Sequence, residues 1–222
     1  MDVAEYEAAD ARDHMVDCQL RPNKVSDPRI LAAMRSIPRE RFLPPELACR
    51  AYVDEDVPLA NGRVLIEPLV IARLIQLAAP TPSDRVLIVA AGTGYGAAVM
   101  AACTPHVIAL EQDPDLLKIA WAVLPSIARS VAIIQGKLDA GWPQESPYDI
   151  VLLEGAVHDI PAALGRQLNA NGGRLVTVMA GRGRVGTAVL AEPTPVGLRA
   201  QPAFDCATPL IPSLLPPPKF EF

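Results

Sequence analysis

A chain of 222 residues, half of them hydrophobic and 20% charged, is long enough to bury one sizeable core and is not disordered in composition. Its net charge of −5 argues against general nucleic-acid binding, which needs a basic face to release counterions. No apolar run reaches the length of a membrane span, and the acidic start MDVAEYEAADARDHMVD lacks the apolar stretch of a secretory signal, so a cytoplasmic protein with no membrane partner is expected. Cys18, Cys49, Cys103 and Cys206 lie far apart with no C-x-x-C pair, which predicts free thiols and neither a zinc site nor a disulfide framework.

In chain order, residues 4–20 are predicted to form a helix with Tyr6, Met15, Val16 and Leu20 on one broad face. After the loop RPNKVSD, Ser26 or Asp27 can cap a second helix with Pro28 in its first turn, and Ile30, Leu31, Met34 and Ile37 give it one buried stripe. Asn61-Gly62 is a tight-turn signal between two short extended stretches. Residues 68–79 follow as a helix that Pro80 and Pro82 end.

From Arg85 onward strands and helices alternate: RVLIVAA, then GYGAAVMAAC; HVIALEQ, then DPDLLKIAWAVLPSI; SVAIIQG; YDIVLLEGA, then IPAALGRQL; GGRLVTVMAG; GTAVLAEP. This predicts an α/β fold with right-handed crossovers and a mostly parallel sheet, with ligands at the carboxyl ends of its strands. A helical N-terminal region to about residue 67, a Rossmann-like core over about 68–212 and a proline-rich, extended tail over 213–222 make one domain. No internal repeat is present.

Two features in register point to a nucleoside-containing cofactor. Gly92-Thr93-Gly94-Tyr95-Gly96 stands at a strand-to-helix turn, where glycines let a ligand approach the backbone and free amides attract negative charge. Glu111 ends the next strand, 19 residues past Gly92, near the ~20 residues at which an acid accepts ribose hydroxyls. A bare tight turn and a solvated strand-end carboxylate are the structural alternatives. Gln112 and the Gly136-Lys137-Leu138-Asp139 loop would border the base. Of the histidines, His14 and His106 suit surface or structural positions, and His158 falls on the functional edge of the sheet.

Several stretches, LRPNKVSDPRILAAMRSIPRERFLP, AYVDEDVPL, VLIVAAGTGYGAAV, VIALEQDPDLLKIA, GKLDAGWP and YDIVLLEGAVHDIPAALGRQLNANGGRLVTVMA, resemble in order and spacing the protein-L-isoaspartate O-methyltransferases. The resemblance covers about residues 15–212, and its D-x-R-I-L-x-A-M-x-x-I-P-R-E-x-F piece is more specific than the glycine loop. It implies a Rossmann-like fold that binds S-adenosylmethionine and methylates isoaspartyl carboxyls of damaged proteins or peptides. Ala90, Gly92, Thr93, Gly94, Tyr95, Glu111, Gln112, Gly136 and Lys137 would then border the cofactor, and residues 64–68 the acceptor.

The chain departs from the family pattern at chemically telling places. Ile88 stands for the loop's acid, Ala90 for its first glycine, Ala91 for its threonine and Lys137 for the acid facing adenine. At the catalytic positions, Ile66 replaces a serine and Glu67 a glutamine, so a hydroxyl is lost and a negative charge placed near an anionic acceptor. These changes leave three readings: a weakened or retargeted repair methyltransferase, a catalytically silent domain that kept the fold, and, on the glycines alone, a nicotinamide-dependent oxidoreductase. Oligomeric state is not legible in the sequence.

Overall fold

The computed structural model describes residues 3–215 apart from 182 and 184, with side chains from Glu7 onward. The tail over 216–222 and the side chain of Tyr6 lie outside the described residues. The expected first helix divides: α1 (Val3–His14) runs into a wider π-helical turn, Met15–Leu20, which buries Met15, Val16 and Leu20. Asp27 caps α2 (Pro28–Ser36), its carboxylate accepting from the Arg29 amide at 2.9 Å. Ile30, Met34 and Ile37 are buried as the stripe predicts, and Leu31 is half-buried. The Asn61-Gly62 turn joins two short antiparallel strands, β1 (Val57–Pro58) and β2 (Val64–Leu65), with both turn residues at positive φ.

Helix α3 (Pro68–Ala78) leads into the alternating core. There follow β3 (Arg85–Val89), α4 (Tyr95–Ala101), β4 (His106–Glu111), α5 (Pro114–Ile127), β5 (Ala132–Gln135) and β6 (Ile150–Val157). After them come α6 (Ala162–Arg166), β7 (Arg174–Met179), β8 (Gly186–Thr194) and β9 (Gly197–Cys206). The seven main strands lie in the order β5-β4-β3-β6-β7-β8-β9, parallel through β7 and antiparallel at β8 and β9. Strand β9 is absent from the sequence reading. Pro202 and a mostly exposed pattern hide it, and its pairing with β8 alone makes it a strand.

The chain winds outward from β3 to β5 and then returns to β6 on the other side of β3. That reversal opens a crevice at the carboxyl ends of β3 and β6, the place where sheets of this type bind ligands. Two apolar layers hold it. On one face, Ile88, Ile150 and Leu152 pack with the N-terminal elements; on the other lie Leu87, Val151 and Leu153. The segment after β9 closes over the crevice: the Ala156 amide donates to Pro209 O, the Ile211 amide donates to Ala156 O, and Ile211 seats on Gly155.

Candidate functional site

The glycine turn leaves β3 through Ala90, which sits in the left-handed region at φ 60. That conformation costs a residue with a Cβ about 1–2 kcal/mol. Gly94 caps α4 at φ 96, and a Cβ there would meet Leu124 Cδ1 at 2.6 Å, so this position requires glycine. The turn is fastened to β4. The Gly92 amide donates to Glu111 Oε2 at 2.8 Å, and the Gln112 and Asp113 amides donate to Glu111 Oε1 at 2.8 and 3.0 Å.

The fourth donor to this carboxylate is Arg63, from the turn before β2. Its Nη1 reaches Glu111 Oε2 at 2.9 Å and its Nη2 reaches the Ala90 carbonyl at 2.7 Å. Glu111 is 1% exposed and Arg63 8%. A carboxylate offers about four acceptor positions, and all four are filled. A ribose diol that engages Glu111 must therefore displace Arg63 Nη1.

Gln112 and Lys137 are exposed at the rim, with Gly136 beside them; the Leu138 amide approaches Gln112 Oε1 at 3.4 Å. A cavity of about 330 Å³ opens here, bordered by Asn61, Arg63, Glu111, Gln112 and Asp113. Thr93 is buried, and its hydroxyl has no partner among the described residues.

Two expectations require correction. Tyr95 does not border the cofactor crevice: its side chain is fully buried, edge-on to Phe42 with ring centroids 5.5 Å apart and under the Arg39 guanidinium at 4.6 Å. The first turn of α4 points it into the layer beneath the N-terminal elements, where its large ring fills the core. Ile66 likewise is 2% exposed and packs into the same core. It reaches the site only through its carbonyl, which Arg39 Nη2 holds at 2.6 Å, and through a cavity of about 10 Å³ that it shares with Arg63, Glu154 and Gly155.

Glu67, at the N-cap of α3, is half-buried, and its amide donates to Asp56 Oδ1 at 2.8 Å. Burial, then Asp54 and Asp56, push its carboxyl up to about 7. Asp56 in turn borders a groove of about 450 Å³ at the ends of β6 to β8, together with His158, Thr208 and Leu210. His158 is exposed there, whereas His14 and His106 stand elsewhere on the surface.

Arg63, Glu154 and Arg39 are buried ionisable groups of the site and are missing from the sequence-derived set. Each left a signal: an acid within the apolar run YDIVLLEGA, an arginine between a turn and VLI, another after Ile37-Pro38. A charge inside an apolar strand is expensive unless something meets it.

A glycine turn at a topological switch point, with an acid ending the neighbouring strand, defines the Rossmann-like class that binds a nucleoside cofactor. The family model for protein-L-isoaspartate(D-aspartate) O-methyltransferase matches residues 11–186. The Methanoregula boonei protein-L-isoaspartate O-methyltransferase is 38% identical over 178 residues, 80% of this chain and 82% of its own. That of Methylorubrum extorquens is 39% identical over 170 residues, 77% and 75% of the two chains. Among solved structures, a protein-L-isoaspartate O-methyltransferase superposes with TM-score 0.76 at 23% identity, covering 93% of this chain and 67% of that one. A beta-aspartate methyltransferase from Plasmodium falciparum, in complex with S-adenosyl-L-homocysteine, gives 0.71 at 18%, covering 89% and 96%. The chain belongs to the protein-L-isoaspartate O-methyltransferase family, and it is an S-adenosylmethionine-dependent methyltransferase. The catalytically silent alternative has no support in these comparisons, and among the described residues no helix is long and apolar enough to cross a membrane.

Proposed function

We propose that the protein transfers a methyl group to the side-chain carboxylate of isoaspartyl residues in damaged proteins or peptides, and that Glu67 restrains this transfer at neutral and alkaline pH. The reading is supported above all by the Gly92 amide and Glu111 carboxylate meeting at the crevice. These residues fit the nucleoside half of S-adenosylmethionine, with Gln112 and Asn61 bordering the base and ribose once Arg63 withdraws. The cofactor supplies an activated methyl group on sulfur. The chain supplies position: an ionised carboxylate needs no base, so alignment and exclusion of water account for the acceleration. The groove along Asp56 and His158 gives the acceptor an approach from the opposite side. The four free thiols suit a reducing cytoplasm.

Glu67 makes the acceptor side pH-dependent. Its pKa is raised, so the neutral acid prevails below about 7 and the carboxylate above it. An isoaspartyl carboxylate stays ionised throughout, and above that value the Glu67 carboxylate adds to the negative charge it meets beside Asp56. Methyl transfer to an isoaspartyl peptide should thus show a KM that falls from pH 8 to pH 6. Glu67→Gln should remove that slope and raise kcat/KM at pH 8 by about tenfold, the effect of one like-charge contact of ~1.4 kcal/mol. The assay is transfer of labelled methyl to an isoaspartyl peptide beside its aspartyl twin. Equal transfer to both peptides, or to neither at pH 6 with Glu67→Gln, would overturn the acceptor assignment.

A further inference from the structure

Strand β6 carries an acid in an otherwise apolar run. Glu154 is 7% exposed, and its Oε2 is buried with no hydrogen-bond partner among the described residues. It packs so closely on the first turn of α4 that a Cβ on Gly96 would lie 2.6 Å from that oxygen. Neither neighbouring arginine hydrogen-bonds Glu154, although Arg39 Nη1 is itself buried without a partner among the described residues. Arg63 holds Glu111 and the Ala90 carbonyl; Arg39 holds the carbonyls of Ala51 and Ile66. A buried carboxylate that is left without a donor in a native fold calls for a ligand that supplies one.

Its place in the crevice names the ligand's chemistry. Three cavities lie in series. The nucleoside cavity shares Arg63 with the small cavity at Glu154, and that cavity shares Pro209 and Leu210 with the acceptor groove. Glu154 thus stands between the nucleoside and the acceptor. The middle cavity, about 10 Å³, has the Arg63 side chain as one wall, so the displacement that frees Glu111 for ribose also widens it. A cofactor spanning the series puts its amino-acid end here, and that end carries an ammonium. Glu111 has no acceptor position left; Glu154 does.

We infer that Glu154 is a cofactor-binding residue that accepts the α-ammonium of the methionyl end, an inference that rests on the S-adenosylmethionine reading. Before the ligand arrives, burial pushes the Glu154 carboxyl up to about 8; Arg63 and Arg39 oppose this and Glu111 adds to it. The group therefore holds a proton at pH 7. When the ammonium docks, that proton passes to the buffer and a charge-assisted N–H···O bond forms.

The test is titration calorimetry of wild type and Glu154→Gln at pH 7, in two buffers of different ionisation enthalpy. Two ligands are compared: S-adenosylhomocysteine and 5′-methylthioadenosine, which keeps the nucleoside and lacks the amino-acid end. The expected result is a loss of about 10- to 100-fold in S-adenosylhomocysteine affinity in the variant, with methylthioadenosine unchanged. Wild type should release about one proton with S-adenosylhomocysteine and none with methylthioadenosine, and the variant none with either. Equal S-adenosylhomocysteine affinity in the two proteins, or an equal loss for both ligands, would overturn the role of Glu154 and leave the nucleoside site standing. If wild type binds neither ligand, the cofactor reading fails and this inference with it.

Discussion

Replacing Arg39 by alanine is expected to lower the urea midpoint of unfolding by roughly 1.5–2.5 M, a loss of about 3–5 kcal/mol at an m-value near 2 kcal/mol/M. Arg39 is fully buried, so its removal exposes no solvent-filled alternative for the groups it serves. Its Nε holds the Ala51 carbonyl at 2.7 Å and its Nη2 the Ile66 carbonyl at 2.6 Å. Each carbonyl left buried without a donor costs about 1–3 kcal/mol, and the lost guanidinium leaves a void over the Tyr95 ring. Since total stability is about 5–15 kcal/mol for a domain, the variant would stand near the limit of folding. Arg39→Lys should recover only part of the loss, because one ammonium on a flexible stem does not reproduce the planar fork between two carbonyls. A midpoint within 0.5 M of wild type, roughly 1 kcal/mol at that m-value, would show that the 51–67 segment is held by packing instead.

The second large effect lies at Glu111. Glu111→Gln should cost about 3–5 kcal/mol and reduce S-adenosylhomocysteine binding by at least tenfold. The carboxylate now serves four donors, and an amide presents two of its own donors to them. It also strands the Arg63 guanidinium, 8% exposed, without a counter-charge. Arg63→Gln separates the two consequences. It also destabilises, but it removes the group competing with the ribose diol, so ligand binding should be retained and tightened. The double variant should lose less stability than the sum of the singles, because breaking one buried pair twice is counted once. Chemical unfolding and calorimetry on the three variants check this; additive stability losses would mean that Arg63 and Glu111 are not coupled.

The alternation of strands and helices from Arg85 to Thr194 was legible in the sequence because each segment carries its own period and its own stop signals. Asp27 and Asp113 cap their helices as local chemistry dictates. Asn61-Gly62 turns because those two residues tolerate positive φ. The contact between Gly92 and Glu111 was legible for a similar reason: the turn after β3 and the end of β4 belong to one βαβ unit, so their meeting follows from it. The family motifs, too, are linear.

Contacts across long stretches of chain were a matter for the tertiary structure alone. Tyr95 matches a family motif, yet whether its ring enters the crevice or the core depends on α4's rotation against Phe42 and Arg39. Strand β9 has no alternation of its own and exists because β8 offers it an edge. Arg63 lies 48 residues from Glu111, and Glu154 takes its meaning from Gly96 and the segment at Pro209–Ile211. A side chain's charge is written in the sequence, but its desolvation and its partners are properties of the packed fold. That is why the acids and bases that govern this site's electrostatics emerge only once β3, β6 and the N-terminal region close around them.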